Sequence, residues 1–317
     1  MITKKIISVL LGDQSESDNP LQKRMRHHQS WWRTCLMGEE QGQHPLKPED
    51  KIGSSILNGK ESAINFLDEF AKKAVHDTLT SRNNGSKGLI KEDRLYNNLL
   101  SSQPLCFNFF GRLKYNLKLA TKVFQQFYPD VQEVADILFE FVPNDASNGD
   151  NSAHDVALKF VNSTGVKGLI GMECKYTEPF SPKEYGKDDK DKKDGKYRNV
   201  YNNSSAFEES YEELTNTKYN QLFRNQLIVE SALLTKDSSY KIGYSGLFCF
   251  QEDQNAIDKG KAFQKMLKNG EERFKIITFA DLIETIQKSE IDWETREWSM
   301  MLWARYCGTE LSKRFKE

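Results

Sequence analysis

The chain has 317 residues and nearly balanced charge, with 45 lysines and arginines against 46 aspartates and glutamates. That length suits one large domain or two modest ones, and 38% hydrophobic residues exclude wholesale disorder. The charge balance excludes a polycation that holds nucleic acid by net charge alone. No apolar stretch approaches the roughly 20 residues of a membrane span, and the five cysteines form no Cys-x-x-Cys pair. These features predict a cytoplasmic protein with reduced thiols and no membrane partner.

The first hundred residues predict mixed helix and loop. A basic segment at residues 21–33 contains Trp31 and Trp32. This pattern fits a surface helix that tucks its tryptophans into the core, and it also fits a contact with a nucleic-acid backbone. Apolar side chains then recur at helical spacing over residues 105–128, and Pro129 ends that helix.

A change of period after residue 129 predicts strands. Residues 136–142 are short, aromatic and bounded by Pro143, and a hairpin-sized gap separates two further strands at 155–161 and 168–177. The charged run at 183–196 predicts a solvated loop. The remaining chain predicts strands at 244–250 and 274–279 and helices at 257–267, 281–287 and 293–314. It also predicts a helical stretch at 207–234, either continuous or with a break. This order predicts an α/β protein whose central mixed sheet is flanked by helices.

The residues best suited to chemistry lie between residues 152 and 178. Asp155 opens one strand, and Glu173 and Lys175 share a face of the next strand because side chains alternate. A hairpin brings Asp155 towards Glu173, and two adjacent carboxylates repel each other unless a cation lies between them. Mg²⁺ is the natural cation for such a pair. Lys175 is then placed to orient or deprotonate the attacking water, or to offset charge on a phosphate.

The same pattern also fits a solvated cross-strand pair. Here, however, the charges follow residues 168–172, a run typical of a strand buried on both faces, where unpaired charges are costly. Gln226 falls in the apolar stripe of a helix and needs a polar partner, for which the catalytic strand and the rim of the stripe are both candidates. Arg224 and Asn225 lie on the neighbouring face, where they can meet a phosphate or a base edge.

Together these motifs resemble the PD-(D/E)XK nuclease superfamily, in particular a bacterial restriction-endonuclease-like branch. The resemblance covers residues 101–250 and lies in the segments SSQPLCFN, SAHD, GMECKYTE and QLFRNQ. It implies a restriction-endonuclease-like core that hydrolyses DNA phosphodiesters, in defence against foreign DNA or in DNA repair. It implies Mg²⁺, replaceable by Mn²⁺, held by Asp155 and Glu173, with Lys175 and Gln226 as further catalytic residues. Cleavage of both strands of a duplex would favour a homodimer.

The chain departs from the family pattern at two places. His154 stands where a proline commonly precedes the aspartate, and the literal Pro-Asp pair at 129–130 lies before the first strand. The helix at 105–128 lacks the glutamate that many relatives carry there, so Gln103 or Asn108 would replace it, or a second metal ion would be missing. The predicted nucleic-acid contacts are Ser152, Arg224, Asn225, Gln103 and Asn108.

The predicted organisation has three parts: an N-terminal region at residues 1–100, a nuclease-like core at 101–290 and a C-terminal helix at 291–317 packed on the core. The N-terminal region is a candidate for further DNA contacts. Two other functions stay open, a non-cleaving nucleic-acid-binding subunit of a larger assembly and an RNA-directed nuclease of the same fold. The sequence contains no dedicated RNA-binding module.

Overall fold

A computed structural model describes residues 9–83, 90–143, 152–182, 193–236 and 238–315. The strands of this part of the chain are β1 (Gln41–His44), β2 (Lys47–Ile56), β3 (Glu133–Phe141), β4 (His154–Val161), β5 (Lys167–Lys175), β6 (Ile242–Cys249) and β7 (Phe274–Thr278).

Helices precede the strands of the central sheet, separate β5 from β6 and β6 from β7, and follow β7. They are α1 (Pro20–Trp32), α2 (Gly59–Ser62), α3 (Glu69–Asn83), α4 (Glu92–Asn97), α5 (Ser102–Tyr115), α6 (Leu117–Phe124), α7 (Lys193–Asn203), α8 (Tyr211–Leu214), α9 (Asn220–Leu234), α10 (Gln254–Gln264), α11 (Gly270–Arg273), α12 (Phe279–Lys288) and α13 (Trp293–Tyr306). A π-helical turn at Arg33–Met37 extends α1, and a 3-10 helix at Thr309–Phe315 follows α13. No helix in the described ranges is long and apolar enough to cross a membrane.

The central sheet has the order β3-β4-β5-β6-β7. β4 is antiparallel to both of its neighbours, β3 and β5. β5, β6 and β7 run parallel to one another. The β4–β5 hairpin turns at Gly165, whose φ of 79° lies in the left-handed region that glycine adopts without strain. The predicted α/β architecture with a mixed sheet flanked by helices is therefore confirmed.

Two layers of helices bury the two faces of this sheet. Because side chains alternate along β6, Phe248 joins a cluster with α5, α6, α12 and α13, whereas Leu247 joins a second cluster with α7, α9 and α10. The first cluster also includes Met25 of α1 and Tyr306 of α13. Buried apolar contacts thus cross both predicted domain boundaries, near residues 100 and 290, and these boundaries stay predictions.

A buried arginine joins α1 and α13 to the end of β5. Arg305 of α13 is fully buried. Its Nη1 and Nη2 donate to the carbonyl oxygen and Oδ1 of Asn65, at 2.7 and 2.5 Å, and its Nε donates to Gln29 Oε1 at 3.3 Å. Gln29 Nε2 in turn donates to the hydroxyl of Tyr176 at 2.7 Å. Tyr176 directly follows β5, so this network connects α1 and α13 to the end of that strand.

Several local predictions were wrong. The helix predicted at 105–128 is two helices, because Asn116 interrupts it and caps the second one by accepting a hydrogen bond from the Leu119 amide at 3.1 Å. The hairpin of β1 and β2 lies in the region predicted as helix and loop. The loop predicted at 183–196 overlaps α7, and residues 183–192 lie outside the described residues. Trp31 and Trp32 are 8% and 2% exposed, which fits the core interpretation of the basic segment.

Candidate active site

The hairpin of β4 and β5 brings Asp155 to the backbone of the strand that carries Glu173 and Lys175. Val156 pairs with Met172 at the end of the antiparallel ladder. Beyond this pair, the side chain of Asp155 replaces the backbone as the hydrogen-bond partner of β5. The amide of Cys174 donates to Asp155 Oδ2 at 2.7 Å. The predicted approach of Asp155 to the Glu-x-Lys motif is therefore seen in the structure.

Glu173 is held at both carboxylate oxygens. Gln221 Nε2 donates to its Oε1 and Asn225 Nδ2 to its Oε2, each at 2.5 Å. Lys175 Nζ lies 3.0 Å from the same Oε1. Glu173 is only 5% exposed, so these partners offset the cost of removing its charge from water.

The electrostatics of Asp155 favour a bound cation. Burial raises the pKa of Asp155 well above its usual range, and repulsion from Glu173 and Glu140 raises it further. The Cys174 amide and Lys175 oppose this shift without cancelling it. A divalent cation between the carboxylates would relieve the repulsion that the protein groups leave in place.

Lys175 stays protonated at neutral pH. Burial lowers its pKa, but attraction to Glu173 and Asp155 outweighs burial and leaves the pKa raised. Its Nζ also donates to Gln221 Oε1 at 3.0 Å. Of the two roles that the sequence leaves open, a lasting positive charge favours stabilisation of a phosphate over abstraction of a proton from water.

Glu140 is a third carboxylate near the site, and it was not predicted from the sequence. It lies on β3 between Phe139, which pairs with Val156, and Phe141, which pairs with His154, and so it neighbours Asp155 across the ladder. Its Oε1 accepts a hydrogen bond from Gln103 Nε2 at 2.9 Å. Its position could have been predicted from the sequence only through the pairing of β3 with β4, because this register places residue 140 beside residue 155.

The hydrogen bonds of Gln226 do not go to β5, the strand that carries Glu173 and Lys175. Ser245 of β6 donates to its Oε1, and its Nε2 donates to Glu230 Oε1 at 2.8 Å. The prediction that Gln226 faces the sheet is right, but its partner is a different strand. Gln221 and Asn225, earlier on α9, make the contacts with β5 that were predicted for Gln226.

The predicted nucleic-acid contacts separate into three groups. Arg224 donates a hydrogen bond to Ser152, which lies just before β4, the strand that carries Asp155. Asn225 and Gln103 hold the carboxylates of Glu173 and Glu140. Asn108 is fully buried and bonds to Asn65, Leu67 and Tyr306, so it cannot reach a nucleic acid or a metal ion. The prediction for Asn108 was wrong because both sides of α5 are covered at this position.

The donor set fits a hard divalent cation. Among the described residues, no group of three or more His, Cys, Asp and Glu side chains has a metal-binding arrangement. Mg²⁺ needs fewer protein ligands than that, because it keeps several waters and binds through one or two carboxylates together with substrate phosphate oxygens. Asp155 and Glu173 are such a pair, and Asp155 carries the unrelieved repulsion described above.

The mixed sheet and the carboxylate-lysine site define the restriction-endonuclease-like class of fold. A family model of the PD-(D/E)XK nuclease superfamily matches residues 16–308, and the chain belongs to this superfamily. The match includes most of the N-terminal region and α13, which the sequence resemblance left out. Comparison with curated proteins gives no significant match. Membership indicates a nuclease, a hydrolase that acts on nucleic acid.

Gln221 joins three parts of this site, so its replacement should reduce catalysis. Its Oε1 accepts from both Lys175 Nζ and the Ser181 amide, the latter at 2.9 Å, while its Nε2 holds Glu173. We expect Gln221→Leu to lower the cleavage rate by about 10- to 100-fold, the range for residues that orient catalytic ligands. Single-turnover cleavage measures this effect, with Gln287→Leu as a control on the remote α12. Wild-type cleavage by Gln221→Leu would contradict the positioning role.

Proposed function

We propose that this protein is a Mg²⁺-dependent deoxyribonuclease of the restriction-endonuclease type. The proposal depends on one observation: Asp155 on β4 lies close to Glu173 and a protonated Lys175 on the paired strand β5. A carboxylate pair next to a lysine suits the hydrolysis of a phosphodiester, because the reaction needs both cation binding and charge stabilisation at the phosphate.

Asp155 and Glu173 would hold the metal ion. When bound, Mg²⁺ or Mn²⁺ lowers the pKa of the attacking water and stabilises negative charge on the phosphate. The protein groups prepare this site in advance: Gln221 and Asn225 orient Glu173, and the Cys174 amide orients Asp155. Such pre-orientation lowers the reorganisation needed in the transition state.

Lys175 supplies fixed positive charge to the reacting phosphate. A water oxygen attacks phosphorus in line with the leaving 3′ oxygen, the new P–O bond forms as the P–O3′ bond breaks, and the products are a 5′ phosphate and a 3′ hydroxyl. As negative charge builds on the phosphate oxygens, the protonated Lys175 offsets it, in keeping with its raised pKa.

DNA is the proposed substrate, because the chain contains no dedicated RNA-binding module. We propose that double-strand cleavage would need two copies of the chain, because one Asp155–Glu173 site cleaves one strand at a time. A cytoplasmic location and a role in defence or repair belong to the same proposal. If the chain binds nucleic acid without cleaving it, the non-cleaving subunit becomes the better description.

Cleavage of supercoiled plasmid tests the function. We expect nicking with Mg²⁺ or Mn²⁺, none with EDTA, and loss of nicking in Glu173→Ala and Lys175→Ala. Single-stranded RNA and duplex DNA in competition distinguish the substrates. Nicking that survives both substitutions would overturn this site, and no nicking by a folded wild-type protein would overturn the nuclease proposal.

A further inference from the structure

Two further lysines add positive charge near Lys175, and one of them lies at the same ring of Phe180. The ammonium group of Lys175 lies 4.9 Å from the centroid of this ring, and that of Lys259 on α10 also lies 4.9 Å from it. The two ammonium groups are therefore closer than about 10 Å, the Debye length at 0.1 M salt, so salt screens their repulsion only in part. Lys218 brings a third positive charge just before α9, 4.9 Å from the Tyr219 ring.

Lys175 is paired with Glu173, but the other two lysines of this group, Lys218 and Lys259, have no such carboxylate partner among the described residues. Burial lowers the pKa of Lys259, and repulsion from Lys218 and Lys175 lowers it further, while Asp253 attracts it more weakly. Asp253 is already engaged as the cap of α10, accepting from the Ala256 amide at 3.1 Å. An anion placed among these lysines would relieve the repulsion.

We propose that Lys218 and Lys259 bind a backbone phosphate that flanks the scissile phosphate. This inference depends on the proposed nuclease function, because Lys175 marks the scissile position. A nucleic-acid strand carries a phosphate at every nucleotide, so a strand held at Lys175 presents further phosphates to nearby cations.

Phe180 sets the separation between the two phosphate positions. Its ring is only 7% exposed, so it is fixed by packing and cannot stack on a base. Its negative face attracts the ammonium groups of Lys175 and Lys259. The Ser181 amide next to it bonds to Gln221, so the same helix that holds Glu173 also holds the loop that carries Phe180. Lys259 therefore acts as a positioning residue for the strand.

The salt dependence of DNA binding tests this subsite. Binding of a short labelled duplex is measured by fluorescence anisotropy in EDTA, where cleavage is suppressed, for Lys259→Gln, Lys218→Gln and the double variant. Each lost phosphate contact should reduce the slope of log affinity against log salt concentration by about 0.9. Lys259→Arg should keep the wild-type slope. Lys261→Gln is the matched control, because Lys261 is exposed on the opposite side of α10.

The outcomes separate this subsite from the nuclease function. Reduced slopes in the two lysine variants with an unchanged Lys261→Gln slope support the subsite, even if the wild-type protein does not cleave. Unchanged slopes in the double variant overturn the subsite, even if the wild-type protein cleaves. A wild-type protein that binds no nucleic acid overturns both. Thermal unfolding confirms that each variant is folded.

Discussion

Asp155→Asn is expected to abolish cleavage while making the metal-free protein more stable. The activity loss should be at least about 100- to 1000-fold, because the substitution removes a charge from the metal and phosphate site. The stability gain follows from burial and from the repulsion that Glu173 and Glu140 exert on Asp155. Asparagine keeps an acceptor for the Cys174 amide but has no charge to repel.

The stability difference between wild type and Asp155→Asn should depend on pH. The pKa of Asp155 is raised in the folded state, so the folded protein holds a proton that the unfolded chain releases as the pH rises. The wild-type free energy of unfolding therefore falls as the pH rises from the unfolded pKa through the folded one, and the advantage of Asp155→Asn should appear over that interval. At lower pH the two proteins should converge. Urea unfolding in EDTA at several pH values measures the difference.

Divalent cations should reverse this ranking. Mg²⁺ binds the folded wild-type site but has no such site in the unfolded chain, so it should raise the unfolding temperature of the wild-type protein. Asp155→Asn should show little of this shift. An Asp155→Asn protein that is less stable than wild type in EDTA, or that gains equally from Mg²⁺, would contradict this account of the site.

Arg305→Ala is expected to lower the free energy of unfolding by about 3–5 kcal/mol, the range for deleting a large buried side chain. The substitution leaves a cavity among Trp32 and Tyr306, whose rings lie 5.9 and 5.1 Å from the guanidinium carbon. It also strips the buried acceptors of Asn65 and Gln29 of their donor.

Urea unfolding of Arg305→Ala against two further variants measures this loss. Arg305→Lys keeps the charge but cannot reproduce the forked contacts with Asn65, so it should lie between alanine and wild type. Arg296→Ala, on the same helix, should change stability by no more than about 0.5 kcal/mol. A loss below about 1 kcal/mol in Arg305→Ala would show that the network is dispensable to the fold.

The sequence predicted the sheet and its central chemistry because both depend on short-range patterns. The alternation in residues 168–175 places Glu173 and Lys175 on one face, and the hairpin brings Asp155 to that strand. Both features follow from the local period of the chain and from loop length.

The residues that the sequence misjudged depend on packing between distant segments. Gln221 and Gln226 are five residues apart on α9, and only the position of this helix over β5 and β6 decides which one meets Glu173. Glu140 becomes visible only through its register against β4. Asn108 looked like a substitute for a missing glutamate, but a helical pattern does not show that a second layer covers both sides of the helix.

The backbone at Glu140 adopts a conformation that is unfavourable for a residue other than glycine. Its φ of 47° lies in the left-handed region, a conformation that glycine adopts freely and that costs other residues of order 1–3 kcal/mol. Glycine at this position would avoid that cost, but it would also remove the carboxylate that acts on Asp155. We expect natural variants of this chain to retain a carboxylate or an amide at position 140 instead. The strain at this residue would then mark where evolution has kept charge at the expense of stability.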